Sequence, residues 1–245
     1  MKLSNNLMFF GLIVLLTVSI ANAADVKKDM VSYWPLDGNA KDIVGGFDGK
    51  EMGAPKWVQA HKGQGVQLDG ISHINAAKFQ LTTDVITFVA WINGWKMADW
   101  AGIVGSRTPT ACEMIFGPND TVHYVWNNNA AETYNWALAP QIPQDSWAMV
   151  ALTIDPDKAV AYVYTEAKGL KQGTNKIPHV EQQIGNMNIG FVDCCGNVRY
   201  FKGIIDEVMI YKRALTDADL LQLATKGLAV ESSGKLATTW GDVKR

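Results

Sequence analysis

The sequence predicts an all-β, antiparallel sandwich that ends in one short helix. Three observations carry this. From Met30 to Tyr211 the chain is a succession of short apolar runs of β type, cut by Gly, Asn, Asp and Pro. No helical apolar periodicity separates those runs, so parallel β–α–β units are excluded. One strong helix signal follows the last run.

The elements follow in order. Val31–Leu36 opens the series and gives way to Asp37-Gly38-Asn39, residues that tolerate turn geometry. Gly65–Leu68, Ile86–Ile92 and Thr121–Trp126 come next, separated by Asp69-Gly70 and Gly117-Pro118-Asn119-Asp120. Trp147–Ile154 and Ala159–Thr165 flank Asp155-Pro156-Asp157, and Gly203–Tyr211 follows Cys194-Cys195-Gly196-Asn197. Thr216 is placed to cap the helix, with Asp217 and Asp219 at the positive end of its dipole. Ala218, Leu220, Leu221, Leu223 and Ala224 give it an apolar stripe, and Gly227 ends it. Such a helix is expected to pack on the sandwich rim.

The chain has 245 residues, 48% apolar and 19% charged, with 22 Lys+Arg against 24 Asp+Glu. That balance excludes a disordered tail, a coiled coil and a basic nucleic-acid binder. Lys2, the apolar run Leu7–Ile20 and the small residues Ala21-Asn22-Ala23 read as a signal peptide over residues 1–23. The run is short for a bilayer span, which needs about 20 apolar residues, and the alternative reading is an uncleaved membrane anchor. The expected product is a secreted or periplasmic domain over 24–227, with a polar C-terminal extension over 228–245 and no transmembrane segment.

Two stretches carry a family resemblance. Val31-Ser32-Tyr33-Trp34-Pro35-Leu36-Asp37-Gly38-Asn39 resembles the opening of laminin-G-like domains of the concanavalin A-like superfamily. Gly203-Ile204-Ile205-Asp206-Glu207-Val208-Met209-Ile210-Tyr211 looks like their closing strand. Val66–Gly70, Phe88–Ile92 and Trp147–Thr153 fit the inner strands in order. The resemblance implies a two-sheet antiparallel jelly-roll sandwich and a binding function, without fixing the ligand.

Strict alternation places Ile204, Asp206, Val208 and Ile210 on one face of the last strand, and Ile205, Glu207, Met209 and Tyr211 on the other. Each face thus carries one acid among apolar neighbours, and a buried unpaired carboxylate costs several kcal/mol. Arg213, Arg199, a lysine or backbone N–H groups would satisfy it; so would a metal. The resemblance implies a structural Ca²⁺ near the chain ends, held by Asp37 and Asp206, with Asn39 or nearby carbonyls completing it. Three cysteines remain after export. A disulfide from Cys112 to Cys194 or Cys195 is favoured over a Cys194–Cys195 bridge, and is worth about 4–5 kcal/mol on the chain-entropy model.

Signatures of catalysis are absent: no paired-carboxylate strand motif, no nucleophile elbow, no phosphate loop and no zinc spacing. The aromatics say more. Trp34, Trp91 and Trp147 lie in apolar strands and are expected in the core. Trp95, Trp100, Trp126, Tyr134 and Trp136 stand beside Asn, Asp and Lys, a pattern suited to stacking on sugar rings while polar side chains bond the hydroxyls. Arg107, Glu113 and the Asp193–Tyr200 segment would join them if Cys112 bridges to that loop. The expectation is a non-catalytic module binding an extracellular glycan or polysaccharide. The alternatives are adhesion to a cell-surface protein or envelope assembly, and a polysaccharide-active enzyme.

Overall fold

The computed structural model describes residues 25–228, apart from 97–98, 128–132, 135, 145 and 195–196. The expected signal segment, Cys195, the Trp95 side chain and nearly all of the 228–245 extension lie outside the described residues. In chain order the first strands are β1 (Met30–Trp34), β2 (Lys50–Met52), β3 (Lys56–Gln59), β4 (Gln64–Asp69), β5 (His73–Thr83) and β6 (Ile86–Lys96). Next come β7 (Gly102–Ser106), β8 (Thr108–Pro109), β9 (Cys112–Phe116), β10 (Val122–Trp126) and β11 (Ala148–Ile154). The last are β12 (Ala159–Thr165), β13 (Gly169–Asn175), β14 (Gln182–Ile189), β15 (Phe191–Cys194) and β16 (Asn197–Tyr211), before helix α1 (Asp217–Lys226).

These strands build two antiparallel sheets, the jelly-roll sandwich that the sequence predicts. The larger runs β13-β12-β11-β6-β16-β4-β3, with β1 and β15 also paired to β16. The smaller runs β10-β9-β7-β14-β5-β2, with β8 on β14. First and last strands are neighbours, Trp34 opposite Val208. Between the sheets lies the main core, which includes Trp34, Phe79, Phe88, Phe116, Tyr124 and Phe201, all buried.

A second apolar layer covers the outer face of the larger sheet. Tyr33, Val89, Trp91, Met149, Met209 and Tyr211 are buried there beneath Leu215, Leu220 and Leu223. Helix α1 therefore packs on a sheet face rather than on the rim. Burying Leu220 and Leu223 of the helix stabilises by roughly 1.5–3 kcal/mol each, while Leu221 stays exposed. Its start is fixed as the sequence predicts. The Asp219 N–H donates to Thr216 Oγ1 at 3.2 Å, and the Thr216 N–H donates to Asp219 Oδ2 at 2.9 Å.

Strand β16 departs from the expected alternation. Asp206 stands opposite Trp91 and Met209 opposite Val89, so a bulge intervenes, with Glu207 at φ 51°. The extra residue resets the pleat. Ile205, Val208 and Ile210 face the main core, while Met209 and Tyr211 face the outer layer. Asp206 shares a side with Trp91, and Glu207 meets Tyr33 of that same layer. Both acids thus gather on one side instead of dividing between two.

Trp34 and Trp91 are buried in apolar cores as expected, and Trp147 is not. Trp91 belongs to the outer layer, and Trp147, just before β11, is half-buried at a groove.

Candidate functional site

Local alternation in the smaller sheet sets three polar side chains on one surface. Ile74 and Ala76, Cys112 and Met114, and Met187 and Ile189 all point into the core. Asn75, Glu113 and Asn188, which lie between them, therefore face outward. Asn188 and Glu113 each stand opposite Gly105 of β7 in the ladders. A Cβ on Gly105 would lie 2.8 Å from the Cα, Cβ and Cγ of Glu113. The glycine thus opens the notch across which Glu113 lies.

A bulge in β14 between Gly185 and Met187, with Asn186 at φ 51°, brings a further amide to this surface. Asn75 Nδ2 donates to Oδ1 of both Asn186 and Asn188 at 2.8 Å. Beside this triad Arg107 clamps Glu113 through two bonds, Nε to Oε1 at 2.7 Å and Nη2 to Oε2 at 2.9 Å. Glu113 is fully buried, and burial pushes its carboxyl up to about 7 while Arg107 and Arg199 pull it down. On another side His73 stacks on Phe191 at 4.4 Å, and Phe191 lies 4.8 Å from Tyr200. Burial lowers the His73 imidazole pKa, favouring the neutral ring. A pocket of about 480 Å³ joins Asn75, Arg107, Glu113, Asn186, Asn188 and Phe191, with Asp193 also lining it. Fixed amides, a fixed guanidinium and a ring stack converge on one cavity.

Among the residues expected to bind, Arg107 lines this pocket, together with Glu113 and the start of the Asp193–Tyr200 segment. No bridge from Cys112 is involved. Its thiol is free and buried, because alternation turns it into the main core, where burial raises its pKa. Trp126 and Trp136 are corrections as well. Trp126 follows Val122 and Tyr124 on the inward side of β10, and its Nε1 donates to the Val180 carbonyl at 2.8 Å. Trp136 folds back into the same core, edge-on to Tyr124 at 6.1 Å. Trp100 and Tyr134 are half-buried and pack together around His123, with rings 5.4 Å apart. They belong to no wall of the pocket. Sequence reasoning missed Asn75, Asn186, Asn188, His73 and Phe191. The alternation of Asn186 and Asn188 with Met187 and Ile189 was the one available signal.

The acids of the chain ends form a separate cluster around the turn that Ala60 and Gly63 close. Asp37 Oδ1 accepts from the Gln64 N–H at 2.8 Å, and Asp206 Oδ2 accepts from the Lys62 N–H at 2.9 Å. The Tyr33 hydroxyl donates to Glu207 at 2.8 Å, with Lys62 Nζ 3.5 Å from the same carboxylate. Burial, with Glu207 and Asp37 adding repulsion, pushes Asp206 up to about 7. Its Oδ1 is buried without a partner. Asn39 and Asp42 are engaged by nearby backbone groups. Asn39 Oδ1 accepts from the Lys41 N–H, and the Asp42 carboxylate accepts from four backbone N–H groups. Among the described residues no three His, Cys, Asp or Glu side chains form a metal cage. The donor set suits a hard cation all the same. It offers two carboxylates, one with an orphaned oxygen, and leaves the remaining positions to carbonyls and water.

Among curated proteins none matches the chain in sequence. Solved structures do match in fold. Domain 4 of an extracellular arabinanase from Geobacillus stearothermophilus, in complex with arabinotriose, has a TM-score of 0.63 at 19% identity, covering 80% of this chain and 98% of that one. The botulinum neurotoxin serotype G binding domain has a TM-score of 0.54 at 14% identity, with 79% of this chain and 50% of that one covered. Trypanosoma rangeli sialidase, in complex with 2,3-difluorosialic acid, has a TM-score of 0.53 at 14% identity, covering 80% of this chain and 32% of the enzyme. This chain therefore spans half or less of the toxin domain and the sialidase. At such identities the likeness establishes the fold alone. A family model of the concanavalin A-like lectin/glucanases matches residues 68–221, and with both sheets in place the chain belongs to that superfamily.

Proposed function

We propose that this domain binds carbohydrate through the pocket on the outer face of the smaller sheet. The observation that carries this reading is the joining of the Asn75–Asn186–Asn188 amides, the Arg107–Glu113 clamp and the His73–Phe191 ring stack in one cavity. Amide and guanidinium groups held by neighbours bond sugar hydroxyls at little ordering cost, and ring faces take the C–H face of a sugar. Both Glu113 oxygens are engaged by Arg107, which supports binding rather than general acid–base chemistry at this carboxyl. The arabinanase domain with its bound arabinotriose is consistent with this reading. The test is titration of the purified domain with soluble arabino-, xylo-, gluco- and manno-oligosaccharides. Binding that falls at least tenfold in Arg107→Ala and Asn188→Ala supports the pocket. Binding to none of them, with capture of a defined cell-surface protein instead, favours adhesion.

We also propose that Asp37 and Asp206 hold a structural Ca²⁺. The orphaned Asp206 oxygen and the excess of acids around Lys62 support this. The ion would neutralise the cluster and tie the first loop to the last strand. Export to the cell exterior follows from the N-terminal signal reading. No helix among the described residues is long and apolar enough to cross a membrane.

A further inference from the structure

We propose that the domain carries a second, separate carbohydrate-binding groove at the β11–β13 edge of the larger sheet, where sugar rings stack on Trp147 and His61. This groove has a volume of about 580 Å³ and shares no lining residue with the Arg107–Glu113 pocket. Its platform is prebuilt. The His61 ring lies on Trp91 at 3.5 Å and 14°, and Tyr164 braces Trp91 edge-on at 6.1 Å. Trp91 is thereby sealed, while His61 stays exposed and the half-buried Trp147 ring stands 5.7 Å away.

The branched aliphatic residues of the groove, Ile142 and Val163, are buried as well, leaving half-buried Pro143 and the small, exposed Ala167. An incoming molecule therefore meets ring faces framed by Gln141, Ser146, Glu166, Lys168 and Lys171. That combination suits a hydroxyl-rich ring with an apolar C–H face. It suits a protein partner poorly, because Lys and Glu are depleted at the centres of protein interfaces and the groove's Ile and Val are already buried. Two grooves on one domain would let it bridge two polysaccharide chains, or hold one chain with higher avidity.

The test uses the Asn75→Ala/Asn188→Ala protein, in which the first pocket loses its amide triad while the buried Arg107–Glu113 pair stays paired, with hexaoses of arabinose, xylose, glucose and mannose as probes. Saturation-transfer NMR is expected to detect at least one bound hexaose. Trp147→Ala in the same background should weaken it at least tenfold, and Trp147→Phe should retain it. Trp147→Leu keeps apolar bulk without the indole, and it replaces the alanine variant if that protein melts early. The groove is overturned if no hexaose binds the doubly substituted protein, or if binding survives unchanged in a folded Trp147→Leu or Trp147→Ala protein. Failure of the first pocket reads out separately, as wild-type binding that Arg107→Ala leaves intact.

Discussion

Gly105 stands directly opposite Glu113 in the β7–β9 ladder, and the missing Cβ is what lets the Glu113 side chain lie across the strand to meet Arg107. A methyl group at this position would overlap three Glu113 carbons at 2.8 Å. Gly105→Ala is expected to cost about 1–3 kcal/mol of stability, in the range of overpacking. It should also weaken oligosaccharide binding, because the carboxylate must move away from the guanidinium. Denaturant melts beside a binding titration check both effects.

Removing one partner of the buried clamp leaves the other without its counter-charge. Arg107→Ala should destabilise by about 3–5 kcal/mol, the range for breaking a buried ion pair, lowered here by the partial exposure of Arg107. Arg107→Ala/Glu113→Gln should recover part of that loss, since the orphaned charge is gone. A double-mutant cycle in urea measures the coupling, and a coupling near zero contradicts a shared role.

The pH response has a defined sign. The Glu113 carboxyl is at about 7 in the folded domain against an ordinary 4.5, so the folded state holds its proton more tightly. Between those values the unfolded chain binds fewer protons, and the contribution of Glu113 to stability falls as pH rises through that window. Asp206, also pushed up to about 7, acts in the same direction. Thermal melts in chelator from pH 5 to pH 8 should therefore show a more positive stability slope in Glu113→Gln and Asp206→Asn than in the wild type. Slopes identical in all three proteins contradict the assignment.

A Ca²⁺ ion held by Asp37 and Asp206, as proposed, would add stability by mass action, about 2.7 kcal/mol when its concentration is a hundred times the dissociation constant. Chelator is expected to lower the melting temperature of the wild-type domain. Asp206→Asn removes one carboxylate charge and should abolish that response, whereas Asn39→Ala, whose oxygen serves Lys41, should leave it intact. A wild-type melting curve that chelator does not move removes the ion from the account.

The helix cap offers a stability check away from both pockets. Thr216→Ala deletes the hydroxyl that receives the Asp219 N–H and should cost about 1 kcal/mol. Ligand affinity should be unchanged, which makes this variant a control for effects transmitted through folding.

Much of the fold was legible because its causes are local. Turn residues at short spacing, β-branched runs and the Thr216–Asp219 box act over a few neighbours, and they gave the strands, the antiparallel class and the helix. The pairing of first and last strands came through the family resemblance. The faces were less accessible. The bulge at Asp206–Glu207 moves both acids to one side, and the one at Asn186 adds an amide to the pocket. Each depends on how a neighbouring strand pairs, which alternation along one strand does not contain.

The aromatic prediction failed for a related reason. Polar neighbours in sequence suggested exposure for Trp126 and Trp136, yet alternation with Tyr124 buries Trp126, and Trp136 is buried against Tyr124. By itself the sequence determined an antiparallel sandwich and one capped helix, because those features follow from nearest-neighbour chemistry, while the joining of its ends came with the resemblance. Only the tertiary structure decided which polar residues share a cavity. Asn75, Glu113 and Asn188 lie on three different strands and Arg107 on the link between β7 and β8, and they converge only through sheet register.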